Sequence, residues 1–271
     1  SINGDSKTFS VVDNILYNKD ATTIVAVPAG LTEVAIPETV TTIGEYAFCG
    51  TNIEKVEIPN GVISVEKAAF YNATNLSEMS LPSTLKSIKE EAFNYCYNLV
   101  FVKLPEGLQS IGDRAFYNSE LVGVYIPESV TDIYNDSDVF GYEASDFKIY
   151  TKENSYASTW ASEHGYEVST GAMPEICADE NYIYQRESDE DDWSIAFKKG
   201  CNINNNNYLK LPASYNDVEV GKILARDSSW ANNGFDSDLA IDIPDTVTSI
   251  GENGLALVRT DKKLYIRIPS S

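Results

Sequence analysis

Residues 36–48 read IPETVTTIGEYAF, and the same phrase returns four more times before residue 141. The prolines that open the five copies lie 22, 23, 23 and 22 residues apart. Such a fixed period is the signature of a solenoid, in which each repeat adds one coil and buries its apolar side chains against its neighbours. The later copies are IPNGVISVEKAAF (58–70), LPSTLKSIKEEAF (81–93), LPEGLQSIGDRAF (104–116) and IPESVTDIYNDSDVF (126–140).

A second phrase, in which apolar and polar residues alternate, leads into each later copy. Its examples are IEKVEI (53–58), LSEMSL (76–81), LVFVKL (99–104) and LVGVYI (121–126). Alternation is typical of a half-buried strand, and the proline that follows ends the strand because it has no amide hydrogen to donate. We therefore predict a short strand before each proline.

The phenylalanines that end the five copies are predicted to form one buried spine along the solenoid axis. They are Phe48, Phe70, Phe93, Phe116 and Phe140. The Val or Leu three residues after each proline, and the Ile or Val three residues later, are expected to point into the same core. The chain is thus predicted to be mainly β, with short turns and 3-10 segments, wound as a right-handed solenoid with repeats of about 23 residues.

The pattern IPxxVxxIGxxAFxxxxxLxxVxIP, as it stands in residues 36–127, resembles the BspA-type (Treponema-type) leucine-rich repeat. Residues 9–30, FSVVDNILYNKDATTIVAVPAG, are similar to the amino-terminal module of that family. The resemblance implies a leucine-rich-repeat solenoid. It also implies a secreted or surface-attached bacterial protein that is associated with adhesion to host or microbial surfaces.

The repeats divide the chain into four segments. We predict a capping hairpin over residues 1–35, with its turn near Asn18–Asp20, the repeats over 36–146, a closing strand, short helix and linker over 147–171, and a second, degenerate repeat-like block over 172–271. In the closing segment FKIY (147–150) is expected to be a last strand, and SYASTWASEHG (155–165) a helix that ends at Gly165. The final IPSS stops before the next apolar position, so we expect that the chain is truncated there or that the natural protein continues.

The charge of the chain bears on the class of partner. There are 20 Lys and Arg residues against 41 Asp and Glu residues, which gives a net charge of −21. Phosphate backbones and anionic membrane surfaces attract basic proteins, so we expect no nucleic acid and no membrane insertion. The expected partner is a protein or glycan on a host or microbial surface, the expected location is extracellular or cell-surface attached with any signal peptide removed, and the oligomeric state is open.

Residues that could carry chemistry are few. His164 is the single histidine, so a hydrolase triad or a histidine zinc site would have to use it, and its place at the end of the predicted helix favours a structural role. The acidic run Asp189–Asp192 lacks the spacing of a calcium loop and reads as a solvated hairpin tip. We expect no catalytic residue, no metal and no cofactor.

The four cysteines do not form a disulfide scaffold. Cys49 and Cys96 follow the phenylalanines of their repeats and are expected to be free, buried thiols. Cys177 and Cys201 flank the acidic run and could either pair across it or remain free.

The candidate binding residues come from the outward positions of the predicted strands, on either side of the central apolar residue. One outward column reads Glu33, Lys55, Glu78, Phe101, Gly123 and Lys148, and the other reads Ala35, Glu57, Ser80, Lys103, Tyr125 and Tyr150. Outward aromatic rings beside lysines are typical of a binding patch, although they can also simply cover a sheet or touch the second block. The predicted binding residues are Phe101, Lys103, Tyr125, Lys148, Tyr150 and Lys55. The turn residues Tyr71, Tyr95, Tyr97 and Tyr117 form a second exposed set.

Three functions fit this sequence. A binding or adhesion module predicts a contiguous apolar and aromatic patch on the strand face. A structural stalk predicts an even, polar surface. An accessory region of an extracellular enzyme predicts a catalytic domain elsewhere in the full gene.

Overall fold

The computed structural model describes residues 6–119, 121–135, 137–141, 147–171, 173, 175–178, 182–186, 193–197, 208–223, 239–250 and 264–267. The chain divides into two compact units. The first contains residues 1–143 and 147–171, and the second contains residues 144–146 and 172–271. All the predicted binding residues lie in the first unit.

The first unit is built from short strands and one helix. Its strands are β1 (Phe9–Val12), β2 (Ile15–Asn18), β3 (Thr23–Ala26), β4 (Thr42–Ile43), β5 (Lys55–Glu57), β6 (Ser64–Val65), β7 (Glu78–Ser80), β8 (Ser87–Ile88), β9 (Phe101–Lys103), β10 (Ser110–Ile111), β11 (Gly123–Tyr125), β12 (Asp132–Ile133), β13 (Lys148–Tyr150) and β14 (Glu167–Ser169). A 3-10 turn covers Ser137–Val139, and the helix α1 covers Tyr156–Glu163.

Each repeat contributes one strand to each of two sides, which is the mark of a coil. The back sheet has the order β1-β2-β3-β4-β6-β8-β10-β12, and its repeat strands are parallel. On the other side β5 pairs with β7, and the front sheet has the order β14-β13-β11-β9. The strands before Pro59, Pro82, Pro105 and Pro127 were predicted correctly, whereas the outward positions Glu33 and Ala35 were assigned to a strand before Pro37 that does not form. The back-sheet strands were predicted only as inward-pointing residues, because a strand of two residues shows no alternation.

The phenylalanine spine confirms the predicted solenoid core. All five rings are 0% exposed. Successive ring centroids lie 4.6, 5.0, 5.2 and 5.8 Å apart, with interplanar angles of 16°, 9°, 8° and 14°. Burying one ring in this way contributes roughly 1.5–3 kcal/mol, so the spine holds the coils together more strongly than any surface contact.

A further ladder of hydrogen bonds runs along the axis beside the spine. The residue two positions before each of the first four spine phenylalanines has a left-handed backbone, with φ of 55° at Tyr46, 53° at Ala68, 56° at Glu91 and 49° at Arg114. This conformation turns the amide towards the next coil, and the Glu91 N–H donates to the Asp113 carbonyl at 2.8 Å. Tyr46, Glu91 and Arg114 have side chains larger than a methyl group, and the left-handed conformation is strained for such residues. The repeat tolerates this strain because the conformation allows the hydrogen-bond ladder to form.

The amino-terminal module contains one strand more than the predicted hairpin. Strands β2 and β3 form that hairpin, and β1 precedes them in an antiparallel pair with β2. Asp13 and Asn14, with φ of 50° and 65°, make the tight turn between β1 and β2. Both residue types tolerate the left-handed region, which was the available signal for this turn.

The carboxyl-terminal end of the first unit is closed by α1, which lies where the sequence predicts a helix. Ser155 caps it by accepting a hydrogen bond from the Ser158 amide at 3.1 Å. Trp160 packs edge-on against Phe140 at 6.2 Å, at the end of the spine. The expectation that FKIY is the last strand is wrong, because β14 follows the helix and pairs in parallel with β13.

The second unit repeats this plan. Its strands are β15 (Glu175–Ala178), β16 (Tyr182–Arg186), β17 (Trp193–Phe197), β18 (Tyr208–Lys210), β19 (Ser214–Tyr215), β20 (Val218–Ile223), β21 (Leu239–Asp242), β22 (Ser249–Ile250) and β23 (Leu264–Arg267). Strands β15, β16 and β17 form an antiparallel meander, and β17 then pairs in parallel with β20, as β3 pairs with β4. Strands β18, β21 and β23 form a second, parallel sheet. The acidic run 189–192 and Cys201, with its possible bond to Cys177, lie outside the described residues.

Candidate binding surface

Five of the six predicted binding residues are brought together on the front sheet. The strand register places Phe101, Gly123, Lys148 and Glu167 in one column. The second column contains Lys103, Tyr125, Tyr150 and Ser169. Lys55 is not part of this group, because it lies on β5, where it is paired with Glu78 of β7.

Phe101 and Tyr150 form the centre of this surface. Their rings meet edge to face, with centroids 6.0 Å apart and an interplanar angle of 65°. Gly123 makes this possible, since a Cβ there would lie 2.9 Å from Tyr150 Cε2 and 3.2 Å from Phe101 Cε2. The expectation that Tyr150 is exposed is wrong, because contacts with its neighbours leave only 4% of this residue accessible. We call Phe101, Lys103, Tyr125 and Tyr150 the aromatic patch.

Tyr125 is held by a residue that the sequence analysis did not select. Its hydroxyl donates a hydrogen bond to Glu106 Oε1 at 2.7 Å. Burial, this bond and the charges of Glu106 and Glu128 together raise the pKa of Tyr125 to about 12. Glu106 directly follows the repeat proline, as Glu38 and Glu128 do in their repeats. This recurring glutamate could have been recognised in the sequence as a possible partner.

The lysines of the predicted site differ in their availability. Lys148 forms an ion pair with Glu167 at 3.1 Å, and Lys55 forms one with Glu78 at 3.0 Å. Lys103 is exposed and has no ion pair within the described part of the chain. Of the three lysines, Lys103 therefore offers the freest ammonium group to a partner.

A groove of about 890 Å³ lies beside β5 and β7, in the first three repeats. Its lining includes the apolar Ile36, Ile58 and Leu81 with the prolines that follow the last two. The acidic residues Glu33, Glu38 and Glu57 also line it. We call this feature the repeat groove.

The family assignment follows from this repeat geometry together with the sequence. A family model described as "BspA type Leucine rich repeat region" matches residues 28–144 in six copies. Residues 28–144 are thus a BspA-type leucine-rich-repeat region. The aromatic patch spans the last of these BspA-type repeats and strand β13, and the repeat groove lies in the first ones.

One of the similar solved structures, the pneumococcal antigen PcpA, shares the fold. The pneumococcal vaccine antigen PcpA is 19% identical with a TM-score of 0.51, and the match covers 62% of this chain and 48% of that one. A leucine-rich repeat protein from Bacteroides capillosus is 27% identical over 47% of this chain and 98% of its own, with a TM-score of 0.35. The T. pallidum leucine-rich repeat protein is 19% identical over 61% and 96% of the two chains, with a TM-score of 0.37. This chain thus spans about half the length of the pneumococcal antigen, and no curated protein matches it.

The turns after the spine phenylalanines carry the second predicted set of exposed residues. Tyr71 and Tyr95 meet edge to face at 5.4 Å, Tyr95 meets Tyr97 at 5.9 Å, and Arg114 lies 5.9 Å from the centre of the Tyr117 ring. These tyrosines are half-buried, so they support one another along the BspA-type repeats.

Two thiols of the BspA-type repeats have different environments. Cys96 is buried as expected, and its Sγ donates to the Phe70 carbonyl at 3.3 Å. Cys49 is exposed, so the expectation of a buried thiol is wrong there. The reason is the position, since Cys96 stands three residues after its phenylalanine, where Thr51, Ala73 and Ser119 also turn inward, whereas Cys49 stands one residue after. Both are free thiols.

His164 completes the helix end. Its Nδ1 lies 2.7 Å from the Trp160 carbonyl oxygen, and its ring stacks on the Trp160 indole at 4.4 Å. No group of His, Cys, Asp and Glu residues suited to a metal ion occurs among the described residues. In the same residues no helix combines the length and the apolar character that a membrane span requires.

Proposed function

We propose that this chain is a non-catalytic binding module of a bacterial cell-surface or secreted protein, and that its aromatic patch holds a protein or glycan partner. The observation that carries the proposal is the contact between Phe101 and Tyr150 across Gly123. A ring that is already fixed loses little conformational entropy when a partner covers it, and buried aromatic anchors dominate binding energies.

The surroundings of the patch support the same function. Phe101 and Tyr125 remain half-exposed, and Lys103 provides an exposed cation beside them. An apolar ring, a phenol and an ammonium group within one short sheet suit both a protein side-chain cluster and the faces and hydroxyls of a sugar. The phenol of Tyr125 is held in one place by Glu106.

The family supports the absence of catalysis and the location. Leucine-rich-repeat proteins are generally non-enzymatic scaffolds, and BspA-type proteins are typically surface proteins. His164, the single histidine, is engaged in packing on Trp160. We propose that this chain works outside the cell.

An array of glycans and matrix proteins probed with the labelled chain tests the proposal. The double variant Phe101→Ser/Tyr125→Ser should fold normally and lose the partner that the wild-type chain retains. The matched control is Tyr46→Ser/Ile63→Ser, which removes one tyrosine and one apolar residue that are each 51% exposed outside the patch. Equal binding by the patch variant and the control would remove the aromatic patch as the site.

A structural stalk is the second candidate, and one observation favours it. Ion pairs join neighbouring coils at Lys55–Glu78, Lys67–Glu90, Lys148–Glu167 and Lys152–Glu128, so much of the exposed basic charge supports the stack itself. A stalk would bind nothing on the array. An accessory region of an enzyme would be revealed by a catalytic domain in the full gene.

A further inference from the structure

The repeat groove is open because of the residues that stand just before its Ile-Pro and Leu-Pro pairs. In the first three repeats this position holds Ala35, Glu57 and Ser80, and all three residues line the groove. In the later repeats the same position holds Lys103, Tyr125 and Tyr150. The large side chains of the later repeats therefore occupy the space that is empty beside β5 and β7.

The later repeats show which groups occupy that space when the chain fills it. The residue after the repeat proline is Glu106 in one coil and Glu128 in the next. Glu106 accepts the hydroxyl hydrogen of Tyr125 at 2.7 Å. Both carboxylate oxygens of Glu128 accept hydrogen bonds from the Lys152 ammonium at 2.8 Å. Each of these carboxylates thus holds a donor from the following coil.

Glu38 has the same position in the first repeat, but neither of the two equivalent positions in the following coil carries a side-chain donor. The residue that corresponds to Tyr125 is Glu57, and the residue that corresponds to Lys152 is Pro59. The groove therefore places a second carboxylate where the later coil has a phenol, and an apolar ring where the later coil has an ammonium group. No ion pair of Glu38 or Glu57 occurs among the described residues.

The charge of the groove selects the class of occupant. Glu33, Glu38 and Glu57 line the groove together with a single lysine, Lys55, whose ammonium binds Glu78 at 3.0 Å and also attracts Glu57 and Glu33. The lining further includes the apolar Ile36, Pro59 and Leu81. Carboxylates with apolar side chains nearby suit the terminal cation and aliphatic stem of a lysine or arginine side chain.

We infer that the repeat groove binds an extended, lysine- or arginine-rich segment of a protein partner, with one cation seated between Glu38 and Glu57. The inference rests on the proposed function in taking the chain to be a binding module, and it assigns a second surface of that module to a peptide. Lys152 on Glu128 is the internal example of the contact.

Fluorescence anisotropy with a short labelled peptide of alternating lysine and alanine residues tests this inference. Glu38→Gln/Glu57→Gln should weaken binding about tenfold, because two charge-assisted contacts are lost. The matched control Glu45→Gln/Glu54→Gln changes the net charge equally at exposed positions outside the groove and should bind as the wild-type chain does. Equal weakening in both variants would show attraction by net charge alone and would overturn the groove.

A variant that fills the groove provides a second readout. Glu57→Tyr should place a hydroxyl towards Glu38, as Tyr125 does towards Glu106, and abolish peptide binding while the circular dichroism spectrum stays unchanged. Undiminished binding by this variant would also overturn the inference.

The proposals for the aromatic patch and for the repeat groove can be contradicted independently of each other. Phe101→Ser/Tyr125→Ser leaves the groove intact and should bind the peptide normally. If the wild-type chain binds no peptide but still loses its array partner in the patch variant, only the groove inference falls. If the groove variants lose the peptide while Phe101→Ser/Tyr125→Ser retains its array partner, the aromatic patch is not the site that holds this partner.

Discussion

Phe101 and Tyr150 stand two strands apart in the front sheet, yet their rings touch because only a hydrogen atom occupies the side-chain position of Gly123 between them. The contact joins three consecutive coils in one surface cluster. The contact explains why Tyr150 is buried while Phe101 remains half-exposed.

Gly123→Ala should disturb this cluster. The added methyl group would approach Tyr150 Cε2 at 2.9 Å and the Lys148 carbonyl oxygen at 3.2 Å, so the rings must shift. We expect a loss of about 1 kcal/mol in the free energy of unfolding, measured by denaturant melts. The control Gly30→Ala meets nothing within 4 Å and should change stability by less than about 0.5 kcal/mol. Equal effects at both glycines would contradict the ring contact.

Phe93→Ala should cut the spine at its centre. Phe93 stacks on Phe70 at 5.0 Å and on Phe116 at 5.2 Å, so neighbours on both sides resist collapse into the cavity. The expected cost is about 3–5 kcal/mol in a denaturant melt. Ile63→Ala, at a residue 51% exposed, serves as the control and should cost little. A loss below about 1 kcal/mol at Phe93 would argue against a shared core.

Glu91→Gly should stabilise the chain, which is unusual for a glycine substitution. Glu91 has a φ of 56°, and its amide bonds to the next coil through the backbone alone. Removing the Cβ relieves about 1–2 kcal/mol of strain and adds about 0.5–1 kcal/mol of unfolded-state entropy, so the net gain is about 0.5–1 kcal/mol. Lys89→Gly, where the backbone is not left-handed, should instead destabilise. A loss of stability at both sites would show that the strain is absent.

Tyr125 should make stability depend on alkaline pH. Its folded-state pKa of about 12 exceeds the ordinary tyrosine value, so its contribution is full below about pH 10 and is lost as the pH rises towards 12. Titration by ultraviolet absorbance should show that the wild-type chain has one more late-titrating phenol than Tyr125→Phe. Glu106→Gln should move that component to lower pH, since it deletes the carboxylate that holds the proton. An unchanged titration in the Glu106 variant would contradict the hydrogen bond.

The features that could be predicted from the sequence are those that recur in successive repeats. The inward positions of Val40 and Ile43 and the spine phenylalanines recur in five copies, and the strands before Pro59, Pro82, Pro105 and Pro127 recur in four. The two-residue strands of the back sheet were missed because they are too short to show alternation, and β14 was missed because it follows the helix and belongs to no repeated phrase.

The site was less predictable than the fold, for a physical reason. The alternation of apolar and polar residues predicts on which side of the sheet the Tyr150 side chain lies. Its burial, however, depends on contact with Phe101, which is 49 residues earlier in the chain. The partner of Tyr125 is likewise 19 residues away, in the turn of another coil. Such contacts become visible only when equivalent positions of successive coils are compared, as Glu38, Glu106 and Glu128 illustrate.

The antiparallel meander that precedes the parallel strands occurs twice, as β1–β3 and as β15–β17. A stack of coils normally has a single starting template, whereas this chain supplies a fresh one after residue 171. We therefore expect each stack to nucleate on its own meander, in two successive events during synthesis.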